Sequence, residues 1–146
     1  MRELVFALEF RGTAGAGLDG KRRAESTAPS QSLTTVLGSD GVPAETKAVD
    51  GEHAVLESVV ERFPDGSFVE DGTITYGRAG SVTFATVGRG TVAPAPIEGW
   101  TSGAVVWTVI GGRGMFTGAS GLITSNFTVS AQGVVVDHHV ARLYLT

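Results

Sequence analysis

The sequence predicts an all-β protein, a single closed antiparallel barrel of about eight strands that spans residues 1–146. Short segments rich in Val, Thr, Phe, Ile and Trp follow one another along the chain, and glycine-containing breaks separate them. Glycine supplies 21 of the 146 residues, against an ordinary share of about 7%. Each glycine costs a helix interior about 1 kcal/mol relative to alanine, so this composition favours strands, bulges and turns.

The N-terminal third predicts one strand and then long connections. Apolar side chains alternate along residues 4–10, which is the period of a strand. The stretch "GTAGAGLDG" at 12–20 predicts a wide turn, and "KRR" at 21–23 is interpreted as solvated charge in a loop. Residues 31–41 contain a short β-branched run and a turn signal, whereas residues 42–51 have no period and predict a connection.

The segment at residues 52–63 is compatible with two structures. As a helix it has one apolar stripe, and Pro64 would end it. As a strand it alternates Ala54 and Leu56 with Val55 and Glu57, and "PDG" becomes a hairpin turn. The pattern alone favours the helix.

The rest of the chain predicts strands with one interruption. Residues 91–100 hold two prolines, which cannot donate to a central ladder, so they predict a loop. Five segments of β-branched and aromatic residues are predicted as strands: 67–77, 81–88, 104–112, 121–130 and 134–146.

Composition excludes several functional classes. A formal net charge of −4 and a pI of about 5.3 argue against nucleic-acid or anionic-membrane partners, because both need a basic surface. The absence of cysteine excludes disulfides, thiolate chemistry and cysteine-bound metals. The N-terminus lacks the features of a secretory signal, and no apolar run approaches the length of a membrane helix. We therefore expect a cytoplasmic protein without metal or cofactor.

The glycine-rich stretch at 111–127 predicts a barrel corner. In a dinucleotide fingerprint starting at Gly112 and Gly114, the third glycine is replaced by Thr117. A phosphate-binding loop would need a lysine after Gly118, and a helix should follow, whereas residues 121–130 have strand character. This stretch therefore predicts a turn between strands rather than a phosphate site.

The sequence "VIGGRGMFTGASGLI" at 109–123 resembles the glycine-rich stretch of the allene-oxide-cyclase-like and dirigent-like barrels, also called calycin-like, and of their small bacterial relatives of unassigned function. The resemblance extends loosely over residues 54–146 and is good over 105–122. It implies an eight-stranded barrel, an apolar cavity, a strand at 52–63 and a homo-oligomer, but transfers no catalytic residues. The matching positions are Gly111, Gly112, Gly114, Phe116, Gly118 and Gly121.

Strand alternation selects the candidate catalytic residues. His138 and His139 point to opposite faces and cannot bind one metal. Asp137 and His139 share a face and could form an acid–base couple; the alternative is a solvent-facing or structurally satisfied histidine. Glu57 would be a general acid if its face is interior, and an ordinary surface residue otherwise.

Three aromatic residues are candidates for ligand contacts. Trp107, Tyr76 and Phe84 could line a cavity, and simple core filling is the alternative. Together with the absence of a cofactor motif, the resemblance implies a barrel that encloses a small apolar molecule, as a cofactor-independent isomerase or cyclase of a secondary-metabolite-like substrate. The alternatives are a non-catalytic carrier or sensor, or a structural barrel that forms oligomers.

Overall fold

A computed structural model describes all 146 residues of the chain, and 11 strands account for nearly all of its regular structure. The only helical segment is a three-residue turn at Leu18–Gly20, so the structure contains no candidate membrane-spanning helix. The strands are β1 (Arg2–Ala16), β2 (Arg22–Ala28), β3 (Gln31–Thr35), β4 (Ala44–Ala48), β5 (Ala54–Arg62), β6 (Phe68–Tyr76), β7 (Gly80–Thr86), β8 (Thr91–Pro94), β9 (Trp100–Gly114), β10 (Ser120–Ser130) and β11 (Val134–Leu145).

Eight of the strands form a closed antiparallel barrel, which confirms the predicted fold class. The order around the barrel is β1, β2, β5, β6, β7, β9, β10 and β11, and β11 pairs with β1 to close it. The pairing of the first and last strands starts at Arg2, which lies opposite Leu145, and continues along almost their whole length. The short strand β8 pairs with the first part of β9, and β7 pairs with its last part.

Residues 54–62 form a strand, so the helical interpretation favoured by the pattern alone is wrong. β5 pairs with β2 on one side and with β6 on the other, so both neighbours satisfy its backbone groups. Its burial alternates, with Leu56 and Ser58 inside the barrel and Val55 and Glu57 outside.

The N-terminal third contains more strand than the sequence predicts. β1 continues to Ala16 through the predicted turn, because Gly12 permits a close approach to β2; a Cβ there would collide with the carbonyl oxygen of Glu25. Arg22 and Arg23 begin β2 instead of lying in a loop. Part of the predicted loop at 91–100 is likewise strand, and Pro94 takes the last position of β8.

A two-stranded hairpin projects from the barrel between β2 and β5. We call residues 31–48, which include β3 and β4, the arm; β4 lies where the sequence predicts an irregular connection. Apart from the half-buried Gln31, every residue of the two strands is exposed. Gln31 anchors the arm, because its side-chain oxygen accepts a hydrogen bond from the Glu9 N–H at 2.7 Å.

The two ends of the barrel differ. At one end, which we call the closed end, Phe116 is buried in the turn after β9 and packs against Tyr76 with ring centroids 5.2 Å apart. That turn is the predicted glycine-rich corner, and β10 follows it directly. The other end, which we call the open end, is formed by the β1–β2, β5–β6 and β10–β11 turns. The largest fully buried side chains are Trp107, Phe10, Phe84, Ile74, Ile123, Leu143 and Val82.

Candidate functional site

A cavity of about 70 Å³ lies inside the barrel near the open end. Its walls come from strands on all sides, since β1, β2, β5, β6, β8, β10 and β11 each contribute lining side chains. Most of the wall is apolar, and Arg22 and Arg62 lie at its mouth. The apolar lining residues are Ala14, Ala24, Leu56, Val60, Phe68, Val92, Phe127, Val129 and Val135.

Two carboxyl groups face this cavity. Strand alternation brings Glu70 inward together with Phe68 and Ile74 on β6. The same rule brings Asp137 inward together with Val135 on β11. Both carboxylic side chains belong to buried residues, whereas Glu25, the third acidic residue of the lining, is at an exposed position. We call the part of the cavity beside Glu70 and Asp137 its floor.

Glu70 has a strongly altered ionisation. Burial raises its pKa from 4.5 to about 7, and the charges of Asp137 and Asp71 act in the same direction. The hydroxyl of Ser58 opposes this shift by donating a hydrogen bond to Glu70 Oε2 at 2.5 Å. Near neutral pH, Glu70 is therefore present in both its protonated and its charged form.

Asp137 is held by two side chains. The Ser125 hydroxyl donates a hydrogen bond to Oδ1 at 2.6 Å, and His139 Nε2 lies 2.8 Å from Oδ2. Ser125 on β10 lies directly opposite His139 in the register of β10 and β11, so both partners come from neighbouring ladder positions. These two contacts fix the orientation of the carboxyl group that faces the cavity.

The structure brings Asp137 and His139 together, but with a different geometry from the predicted couple. His139 is 2% exposed, lies behind Asp137 and does not line the cavity. Its ring packs against Phe10 and Trp107, with centroid distances of 4.3 and 5.1 Å. The imidazole therefore orients the carboxyl group and does not itself face the cavity. His138 points outward to Glu9 Oε2 at 3.0 Å, as alternation predicts.

Of the two interpretations of Glu57, the interior general acid and the ordinary surface residue, the structure matches the second. The Glu57 side chain lies on the outer face of β5, because the alternation of that strand turns Leu56 and Ser58 inward. Glu70 is the interior glutamate, and the sequence reasoning missed it. The signal was available: Glu70 has the same parity as Phe68 and Ile74, the apolar residues of its own strand.

The three predicted ligand-binding aromatics do not line the cavity. Trp107 and Phe84 are buried in the core and stack with ring centroids 4.1 Å apart. Tyr76 lies at the closed end, where burial raises its pKa and where it lines an open groove of about 270 Å³ together with His53. Core filling, the alternative interpretation, describes Trp107 and Phe84. The cavity is lined instead by Phe68 and Phe127, in edge-to-face contact at 5.8 Å.

The structure contains no group of three or more His, Cys, Asp or Glu side chains arranged to bind a metal ion. The polar side chains that line the cavity are Thr13, Arg22, Glu25, Ser26, Arg62, Glu70 and Asp137. Ser58, Ser125 and His139 do not line it and hold the two buried carboxyl groups from behind.

Comparison with known proteins gives one weak likeness. No protein-family model matches the chain, and no curated protein matches it. Among solved structures, the chain is similar to the pterocarpan synthase dirigent protein GePTS1, with 12% sequence identity and a TM-score of 0.33. The match covers 99% of this chain and 92% of that chain. At this TM-score the likeness adds no argument, and the barrel and its site rest on the chain's own strands and side chains.

Proposed function

We propose that the protein binds the reacting end of a small, mostly apolar molecule in the open-end cavity and catalyses its isomerisation or cyclisation without a cofactor. The supporting observation is that Glu70 and Asp137 face one cavity in different surroundings. Burial raises the pKa of Glu70 to about 7, so part of it is protonated at neutral pH, whereas Asp137 is held by the Ser125 hydroxyl at one oxygen and by His139 Nε2 at the other. Two carboxyl groups in contrasting environments are suited to act as acid and base.

The proposed reaction moves protons and needs no other reagent. Glu70 in its protonated form donates a proton to an oxygen or an unsaturated carbon of the substrate, while the Asp137 carboxylate removes a proton from another atom. The substrate's proton count is unchanged. The proton taken up by Asp137 then returns to Glu70 before the next turnover. The apolar wall strengthens these electrostatic interactions, because it excludes water from the reacting atoms.

The size of the cavity limits what can enter. Its volume is about 70 Å³. Enclosed sites for drug-sized ligands are larger, at about 300 Å³ or more. We therefore propose that only the reacting group is buried and that the remainder of the molecule lies between the side chains of the mouth.

The binding part of this proposal is tested by native mass spectrometry of the purified protein before and after denaturation. Wild-type protein should release an additional small mass, or should bind members of a neutral panel of cyclohexanol, cyclohexanone and phenol. The Ala24→Leu variant, which fills the cavity, should do neither. Ala44→Leu, the same change on the exposed strand β4, is the matched control and should behave as wild type. Wild-type protein that releases nothing and binds none of the panel contradicts the proposal.

The Glu70→Gln variant separates an enzyme from a carrier once the ligand is known. In an enzyme, kcat should fall by about 100-fold or more with little change in KM, because the general acid is lost. Glu57→Gln makes the same chemical change on the outer face and should leave kcat unchanged. If wild-type protein leaves its bound ligand unconverted, the carrier is the correct interpretation.

A further inference from the structure

The mouth of the cavity has two arginines without acidic partners. Arg22 begins β2 and Arg62 ends β5. Arg22 lies opposite Val60, and Arg62 follows Val60 by two residues on the same face, so the two side chains emerge side by side. Neither lies within 4.0 Å of a carboxylate oxygen. In contrast, five other arginines form such ion pairs: Arg11, Arg23, Arg78, Arg89 and Arg142.

The two guanidinium groups are close enough to affect each other. Partial burial lowers the pKa of Arg62, and the positive charge of Arg22 lowers it further. The nearest acidic side chains do not relieve this repulsion. Glu25 is paired with Arg23 at 3.1 Å, and Asp19 and Glu61 lie beside the mouth beyond ion-pair distance. The mouth therefore holds two adjacent guanidinium groups without an ion-pair partner, on a protein whose net charge is −4.

We propose that Arg22 and Arg62 together bind the carboxylate of the molecule whose reacting end enters the cavity. This inference rests on the proposed function and names its substrate class, a small organic acid with a short apolar spacer between its carboxylate and its reacting group. The planar guanidinium presents paired N–H donors that match the two oxygens of a carboxylate.

The register determines how long the spacer is. Arg22, Val60 and Glu70 are successive ladder partners across β2, β5 and β6. With neighbouring strands about 4.8 Å apart, the backbones of Arg22 and Glu70 are about 10 Å apart. Val60 lies between them and lines the cavity. A carboxylate at the mouth and a reacting group at Glu70 are therefore joined by a short apolar segment.

Charge also determines the orientation of the ligand. The carboxyl groups of Glu70 and Asp137 at the floor disfavour a second negative charge beside them. The arginines at the mouth attract a negative charge. An organic acid therefore enters with its neutral end first and leaves its carboxylate between the two guanidinium groups, which places its uncharged atoms against the acid and the base.

The experiment measures the binding of hexanoate and hexanamide by isothermal titration calorimetry. The two probes have the same shape and differ in charge. Wild-type protein should bind hexanoate about tenfold or more tightly than hexanamide. The double variant Arg22→Gln/Arg62→Gln should bind both with the weaker affinity. Arg2→Gln/Arg113→Gln removes the same charge outside the open end, from arginines that form no ion pair, and should retain the wild-type preference.

Three results would overturn the inference. One is that hexanoate and hexanamide bind equally well, both to wild-type protein and to Arg22→Gln/Arg62→Gln. This result would leave the proposed cavity function in place. Another is that the Arg2→Gln/Arg113→Gln control loses the preference for hexanoate as fully as Arg22→Gln/Arg62→Gln does, because the net charge of the protein would then explain the preference. The third is binding of neither probe. If the arginine-dependent preference persists with unchanged affinity in Ala24→Leu, the arginine site is supported and the proposed cavity function fails.

Discussion

At the scale of single residues, Glu70 is a carboxyl group whose surroundings differ strongly from water. Its carboxyl group lies among apolar side chains with one hydroxyl donor, and a second carboxyl group shares the cavity. These surroundings stabilise the neutral form of the Glu70 carboxyl group relative to its charged form. In the unfolded chain the same group is fully hydrated, so its two protonation states are linked to folding.

We predict that this linkage destabilises the protein as the pH rises. The folded pKa of about 7 exceeds the ordinary value of 4.5, so between these values the unfolded chain binds fewer protons than the folded one. The free energy of unfolding should fall across this window, by about 3 kcal/mol in total. Below pH 4.5 the two states bind the proton alike and the penalty is absent.

Urea unfolding from pH 4 to pH 8 measures this effect. Glu70→Gln should lose this part of the pH dependence, because the amide does not titrate. Glu57→Gln, on the outer face, should retain the wild-type slope. The same slope in Glu70→Gln and wild type would show that other groups cause it.

The candidate site could be predicted from the sequence only in part. Alternation correctly places Asp137 and His139 on one face, because Val135 and Leu143 mark that face as apolar. It cannot choose a face for β5, since apolar residues occupy both of its faces in the sequence. Which face of β5 turns inward, and therefore whether Glu57 is interior, depends on how the strands around the barrel pack, and that information is not local.

At the scale of elements, pairing creates strands that composition does not indicate. β2 contains two arginines and a glutamate and has weak strand propensity, yet β1 and β5 pair with it on both sides. β4 has an equally polar sequence and pairs with β3. The C-terminal strands were predictable because Val, Thr, Phe and Ile dominate them and glycines separate them.

We predict that Gly121→Ala is far more destabilising than Gly66→Ala. Both glycines have positive φ, 132° and 87°, so both variants include a backbone penalty of about 1–2 kcal/mol. Gly66 lies in an open turn, where a Cβ meets no atom within 4 Å. A Cβ at Gly121 would collide with the carbonyl oxygen of Arg142, in the ladder between β10 and β11.

Thermal or urea unfolding of the two variants compares these costs. Gly121→Ala should lose at least about 3 kcal/mol, because the ladder must separate locally to accept the methyl group. Equal losses in the two variants would mean that φ alone explains the requirement for glycine at 121.

We predict that the arm is dispensable for the stability of the barrel. Replacing residues 32–47 with a short Gly/Ser linker removes only exposed side chains and retains Gln31, which bonds to Glu9. The free energy of unfolding should change by less than about 1 kcal/mol, since surface changes and loop lengths have small effects. Loss of cooperative urea unfolding in the shortened chain would show that the arm packs on the barrel.

At the scale of the whole molecule, closure joins the two ends of the chain. Arg2 pairs with Leu145, so Met1 and Thr146 lie close together at the closed end. The antiparallel barrel was predictable because strand-rich segments recur at short intervals and no helical crossover separates them. The open-end cavity was not predictable, since its volume depends on side chains from seven strands.

We predict that a circular permutant folds to the same barrel. A short linker joins Thr146 to Met1, and the new termini are placed at Asp40, in the exposed tip of the arm. Far-UV circular dichroism and cooperative unfolding should match those of the wild type. A permutant opened at Gly72, in the middle of β6, should fail to fold. If the Asp40 permutant lacks a cooperative transition, the order of strand synthesis is essential to the fold.

The homo-oligomer implied by the family resemblance stays a prediction. Exposed apolar side chains on neighbouring strands of the outer wall offer a surface for it: Val106 and Val140 both flank Thr124, and Leu122 lies beside them. The native mass spectra of the binding experiment also give the number of subunits.

The blocked end of the barrel has a kinetic consequence. The fully buried side chains of Trp107, Phe84 and Ile74 separate the cavity from that end, so a molecule that enters past Arg22 and Arg62 must leave by the same route. A bound molecule must therefore leave the cavity before the next one can bind. An isomerised product has the same atoms as its substrate, so it retains the carboxylate that we propose the two arginines bind. For such a catalyst, inhibition by its own product should be competitive and as strong as substrate binding itself.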